Sequence, residues 1–173
     1  MEWLSDIKNA IPDYAKDIRL NLDATVSRSS LEGNDAIGVA LAAAFAAKAT
    51  KVVYAIREAR ALSPEEENAA LTAASLMGMN NAWYPFVEMA DDKDLSTQRA
   101  ELRMNAYANH GGLDKRRFEM YALAASVVGK CHFCIQSHYA LLKAEGMSTL
   151  QLRDVGRIAA TINAVSQVLA NEA

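Results

Sequence analysis

Val155, Ile158, Ile162, Val165 and Leu169 recur at steps of three, four, three and four residues. That spacing lays one apolar stripe along a helix of 3.6 residues per turn. Ser148 stands ahead of the stripe as a capping residue and opens the last predicted helix. The same punctuation recurs upstream. Ser63-Pro64-Glu65-Glu66 combines a capping serine, a proline at the first helical position and a glutamate at the third, and the helix it opens is predicted to run to about Gly78. Asp114 before Lys115 opens another, to about Gly129, with Phe118, Tyr121, Ala125 and Val128 on one face. Asn34 or Asp35 starts an alanine-rich helix to Lys48, and shorter helices fit Lys51 to Ala61, Asn80 to Ala90 and Thr97 to Ala108. Asn109-His110-Gly111-Gly112 reads as a loop. No segment alternates in the manner of a strand. The fold class expected is all-α, a single helical domain over residues 1–173.

Composition agrees with that pattern. Alanine supplies 33 of the 173 residues, and glycine and proline together supply 11. Alanine has the highest helix propensity, glycine and proline the lowest. Ala73-Ala74-Ser75 followed by Gly78 recurs 51 residues later as Ala124-Ala125-Ser126 followed by Gly129. Either the echo is chance in an alanine-rich chain, or it marks a duplicated helical unit, the first copy over about 35–90 and the second over about 95–173.

A formal net charge of −3 gives no long-range attraction for a nucleic-acid backbone or an anionic lipid surface. The longest apolar run, Ala36 to Ala47, is shorter than the ~20 residues a bilayer span needs. The start, MEWLSDIKNA, lacks the basic and apolar regions of a secretory signal, so the cytoplasm is the expected location. Its reducing conditions would keep Cys131 and Cys134, the whole thiol inventory, as thiols between turnovers.

Those thiols lie in Lys130-Cys131-His132-Phe133-Cys134-Ile135-Gln136-Ser137-His138. On one helix, Cys134 and His138 fall about 300° and about 340° from Cys131, on a shared face, while His132 points about 100° away. Four readings compete. A structural disulfide closing so short a loop contributes roughly 2 kcal/mol, little for a chain with a large core. Zinc would find three ligands in Cys131, Cys134 and His138 and need a fourth from His132 or a distant group. Covalent haem needs histidine directly after the second cysteine, where Ile135 stands. A redox-active dithiol fits best, because a helix N-terminus and a nearby imidazole both favour thiolate. The thioredoxin fold does not fit: no βαβ pattern surrounds the motif, and Pro12, Pro64 and Pro85 all lie upstream.

Glu119 would lie ~18 Å from Cys131 in one continuous helix. A reversal near Gly129-Lys130 would instead bring it level with His138, where a carboxylate would orient the imidazole. From spacing alone, a solvated glutamate after Arg116 and Arg117 is the preferred reading.

Glu119, eleven residues, Cys131, two residues, Cys134, three residues, His138 resembles the motif of the alkyl hydroperoxide reductase D (AhpD) family, within the carboxymuconolactone decarboxylase-like superfamily. Pro12 to Leu22, Met77 to Asn81 and Leu102 to Asn105 also resemble AhpD segments. The resemblance implies an all-helical fold with two related halves, usually a homotrimer, and a lipoyl-dependent peroxidase of antioxidant defence. It implies that Cys134 is the peroxide- or disulfide-reactive cysteine and Cys131 its resolving, disulfide-forming partner. Glu119 and His138 would form a proton relay. It further implies no tightly bound cofactor or metal, electrons from the dihydrolipoyl group of a 2-oxoacid dehydrogenase component, and an AhpC-type peroxiredoxin as partner, with weak direct reduction of hydroperoxides. One departure concerns the motif interior. The family form Cys-Ser-His-Cys is here Cys131-His132-Phe133-Cys134, so no role passes to His132. The rival functions are a decarboxylase on the same fold, which needs no cysteine pair, and a non-enzymatic helical zinc-binding module.

Overall fold

The computed structural model describes residues 1–172. It contains ten α-helices and, among the described residues, no strand. They are α1 (Glu2–Asn9), α2 (Lys16–Leu22), α3 (Gly33–Ala46), α4 (Thr50–Glu58), α5 (Pro64–Ala90), α6 (Lys93–Thr97), α7 (Asn105–Ala108), α8 (Lys115–Gly129), α9 (His132–Ala144) and α10 (Thr149–Asn171). Short 3₁₀ turns at Asp13–Ala15 and His110–Gly112 and a π turn at Asp23–Ser27 join some of them.

The capping chemistry read from the sequence operates as expected. Ser63 and Ser148 each close a full capping box, with Glu66 and Gln151, and the Asp114 side chain accepts from the Arg117 N–H. Each such cap supplies about 1 kcal/mol by satisfying N–H groups that the helix leaves unpaired.

α3 is the centre of the packing. Val39, Ala40, Leu41, Ala42, Ala43 and Ala44 are fully buried, and α5, α8, α10 and α4 pack around them. Small side chains let these helices approach closely. At Gly38 a Cβ would lie 2.4 Å from the buried ring of Tyr121, so α3 and α8 can touch only because nothing is there. Arg117 on α8 crosses to α3 and α5, reaching Asp35 and Glu66 at 2.6 Å each, and Asn34 also donates to Glu66. The two carboxylates compensate a guanidinium that would be costly to bury alone.

Two predicted elements are drawn differently. The helices expected at Ser63–Gly78 and Asn80–Ala90 are one 27-residue helix, α5. Gly78 costs about 1 kcal/mol in a helix interior, which packing readily overrides. Pro85 lies inside α5 and deprives the Asn81 carbonyl of its partner without ending the helix. The last buried residue of α5 is Met77, and its final three turns project past the core with Asn81 and Tyr84 half-buried against α8 and α9. Of the helix expected over Thr97–Ala108, Thr97 ends α6 and Asn105–Ala108 form α7, while residues 98–104 between them are irregular chain. Glu101 there adopts a left-handed conformation, with φ 51°, which no helix accommodates.

Candidate active site

The chain leaves α8 through Lys130, whose φ of 55° is left-handed, and turns back at once into α9. The N–H groups of Lys130 and Cys131 return to the carbonyls of Val127 and Ser126, closing the end of α8. At Gly129 a Cβ would fall 2.1 Å from Asn81 Nδ2, and Asn81 donates to the Ala125 carbonyl. α5 thus holds the corner from outside. Cys131 follows in extended conformation as the N-cap of α9, and its Sγ accepts from the Cys134 N–H at 3.2 Å. The two cysteines are bonded to one another, with their Cα atoms 5.3 Å apart. Cys131 therefore stands just outside the helix, whereas the wheel placed it within. Sulfur as a capping acceptor leaves it at the positive end of the α9 dipole.

Glu119 and His138 meet across the corner. The imidazole Nδ1 lies 2.6 Å from Glu119 Oε2, and both side chains are buried. The solvated glutamate favoured by spacing alone is thus replaced by a buried one, because the reversal at Lys130 folds α9 back along α8. Tyr107, from α7, donates its hydroxyl to the other oxygen, Glu119 Oε1. Burial pushes the Glu119 carboxyl up, but the hydrogen bonds from His138 and Tyr107 and the neighbouring imidazole charges bring it below the ordinary carboxylate range. Burial, followed by its bond to Glu119, pushes the Tyr107 phenol well above its usual value. His138 Nε2 faces Met77 Sδ at 3.2 Å. A thioether accepts weakly and cannot donate, so that contact is a hydrogen bond only when Nε2 carries a proton.

Cys134, His138, Tyr107, Tyr84 and Phe133 all line one cleft of about 210 Å³ at the foot of the projecting part of α5. Both cysteines are buried, Cys131 at 0% and Cys134 at 3%, and only Cys134 belongs to the cleft wall. His132 turns outward to Glu88, with Nδ1 3.1 Å from Oε1 on the exposed surface. Its predicted divergence from the thiols is what the structure shows. With Nδ1 of His138 on Glu119 and His132 on Glu88, the four ligands of the zinc reading do not converge. No group of three or more His, Cys, Asp and Glu suited to a metal occurs among the described residues.

Tyr107 and Tyr84 were not singled out in the sequence. Tyr107 reaches Glu119 from a separate short helix after an irregular segment, and no periodicity connects position 107 to position 119.

Residues 93–171 match the Carboxymuconolactone decarboxylase family (CMD). Over nearly its whole length the chain is similar to curated proteins named "Alkyl hydroperoxide reductase AhpD". It is 43% identical over 169 residues to that of Maricaulis maris (strain MCS10), covering 96% of both chains. It is 43% identical to that of Rhodospirillum centenum (strain ATCC 51521 / SW), covering 96% of this chain and 90% of the relative. It is 40% identical over 172 residues to that of Streptomyces avermitilis, covering 98% and 97%. An alignment of this extent takes in the corner, both cysteines and the buried acid–imidazole pair together, and the chain belongs to the AhpD family.

Proposed function

We propose that this chain is a lipoyl-dependent alkyl hydroperoxide reductase: a dithiol enzyme that takes electrons from a dihydrolipoyl group and passes them to an AhpC-type peroxiredoxin and, more weakly, to hydroperoxides. The names of its full-length relatives support the activity. The observation that carries the reading is a cysteine pair with one sulfur on a cleft wall, sharing that cleft with a histidine held by a buried carboxylate. The reading includes action in the cytoplasm as a homo-oligomer, a trimer, with the donor carried on a 2-oxoacid dehydrogenase component. No helix of the described residues is long and apolar enough to cross a membrane.

The chemistry divides at the disulfide. A donor thiolate attacks Cys134 Sγ, the sulfur on the cleft, and the S–S bond breaks with its electron pair going to Cys131. The Cys131 thiolate leaves readily, because it caps α9 and accepts from the Cys134 N–H. The donor's second thiolate then attacks its own sulfur in the mixed disulfide, closes the lipoyl ring and releases Cys134 thiolate. Two electrons have entered the protein. In the direct oxidative half, Cys134 thiolate attacks the terminal peroxide oxygen, the O–O bond breaks, and the departing alkoxide takes a proton to leave as alcohol. Cys131 thiolate then attacks the Cys134 sulfenic acid, restoring the disulfide and releasing hydroxide, which takes a proton to become water. With a peroxiredoxin, the dithiol reduces the partner's disulfide by the same exchange in reverse.

His138 holds and returns the protons these steps move, and Glu119 keeps its ring oriented through Nδ1. Tyr107 occupies the second oxygen of Glu119, so the carboxylate stays ionised in a buried place.

The test is peroxide consumption by purified protein supplied with dihydrolipoamide and its NADH-linked reductase, with and without a cognate peroxiredoxin. Peroxide-dependent NADH oxidation that rises sharply when the peroxiredoxin is added is expected. No turnover in either arm would refute the reading.

A further inference from the structure

The mouth of the cleft has a feature that the acid–base machinery does not use. Phe133, the residue directly before Cys134, is half exposed, at 52%. Its ring stacks on that of Tyr84, from the projecting part of α5, with centroids 4.3 Å apart and planes 27° from parallel. Both side chains line the cleft beside Cys134, and Met104 completes the apolar rim.

Charge is the second observation. The cleft carries no lysine, arginine, aspartate or glutamate on its wall, and its one basic side chain, His138, is bonded to Glu119. His132 on α9 meets Glu88 at 3.1 Å on the exposed surface, and neither lines the cleft. Asn80 and Ser137, also on the wall, are neutral, so a carboxylate brought into the cleft would meet no side-chain countercharge, and a carboxylate without one is costly to bury. An aromatic wall next to a reactive sulfur, with no countercharge, suits a neutral apolar body that delivers its reactive group to Cys134.

We propose that Phe133 and Tyr84 form a binding subsite for the neutral apolar portion of the molecule reacting at Cys134, and that this subsite sets the preference for apolar over small or charged reactants. It rests on the dithiol reading of Cys134. A hydroperoxide with an apolar body and a dithiol on an aliphatic arm share this chemistry, and they visit the same sulfur in alternate half-reactions.

Each half-reaction is measured separately, so the result does not depend on lipoyl-driven turnover. Protein reduced chemically and freed of reductant is oxidised by cumene hydroperoxide or by hydrogen peroxide, and the loss of thiols is followed in time. Oxidised protein is reduced by dihydrolipoamide or by dithiothreitol. For each half-reaction the readout is the ratio of the two rate constants, apolar-bodied reactant over small one. Phe133→Ala is expected to lower that ratio about tenfold, within the range that apolar pocket contacts supply. Tyr84→Leu should lower it in the same direction, and Tyr84→Phe, which keeps the stack, should restore it. A fall in the peroxide ratio alone, in the donor ratio alone, or in both identifies which reactant uses the subsite. Ratios unchanged in Phe133→Ala and Tyr84→Leu would overturn the subsite, even if the wild-type protein turns over with dihydrolipoamide. Failure of the wild-type protein to oxidise at Cys134 with any peroxide would instead refute direct peroxide reduction.

Discussion

Glu119 and His138 are nineteen residues apart in the chain and 2.6 Å apart in space, on two helices that meet at a single left-handed residue, Lys130. Their contact is buried, so the carboxylate and the imidazole share one electrostatic environment and act as one group.

Substituting either should therefore remove the same function. His138→Ala is expected to lower lipoamide-coupled turnover by about 10²–10⁴-fold, the usual scale of general acid–base help. Glu119→Gln should cost similarly or somewhat less, and the double variant should be little worse than the worse single. His132→Ala should be mild, because its partner is Glu88 on the surface. Steady-state turnover of the four variants checks this. Multiplicative losses at 119 and 138 would show two independent groups.

Tyr107→Phe tests how the carboxylate is held. It keeps the ring against Phe118 and removes only the donor to Glu119. Burial, then less opposed, pushes the Glu119 carboxyl upward. The acid limb of the pH–rate profile is expected to move to higher pH. In a Glu119→Gln background the same substitution should leave the profile where it is.

The cysteines should separate by their place at the cleft, which Cys134 lines and Cys131 does not. Cys134→Ser is expected to abolish both peroxide reduction and transfer to the peroxiredoxin. Cys131→Ser, which retains a capping side chain at the start of α9, should fold normally and leave a Cys134 that reacts once and is trapped as sulfenic acid or mixed disulfide. Intact mass of each variant after one equivalent of peroxide reads the result. Reactivity confined to Cys131 would reverse the assignment.

Away from the site, Asp154 is buried beneath Arg153 and Arg157 and accepts the Ser30 N–H at 2.8 Å. Burial pushes its carboxyl up, but these partners outweigh it and bring it from 3.8 down to about 2. A depressed carboxyl stabilises the fold above its unfolded value and loses that contribution as pH falls through the folded one. Because the arginines are partly exposed and screened, the contribution is on the order of 1–2 kcal/mol at neutral pH. Asp154→Asn should lower the urea midpoint accordingly at pH 7, and the gap to wild type should close between pH 3.8 and about 2.

Much of this was legible where the governing chemistry is local. The caps at Ser63, Asp114 and Ser148 are set by a side chain and an N–H three residues on, and each stands where the pattern put it. A corner and the rise of a helix allow Glu119 to face His138, but spacing alone prefers a solvated glutamate, and it is the family resemblance that joins the two. The union of α5 across Gly78 did not follow, because a weak local penalty yields to packing that only the assembled fold supplies. The irregular stretch before α7 was likewise hidden, and with it the approach of Tyr107 to Glu119, which depends on a path with no repeat. The short N-terminal helices, with Trp3, Leu4 and Ile7 buried, carried too few turns for a period to show.

Arg117 gives α8 its rotational setting. Its grip on Asp35 and Glu66 lies two positions before Glu119, so the clamp and the relay are parts of one rigid ruler. Deleting or inserting a single residue between them would turn Glu119 by about 100° and shift it by about 1.5 Å relative to the anchored end. The spacing from 117 to 119 is therefore intolerant of length change in a way that the surface turns are not. Insertions in such a chain have no room within the first two turns of α8, nor at the Lys130 corner where α9 folds back along it.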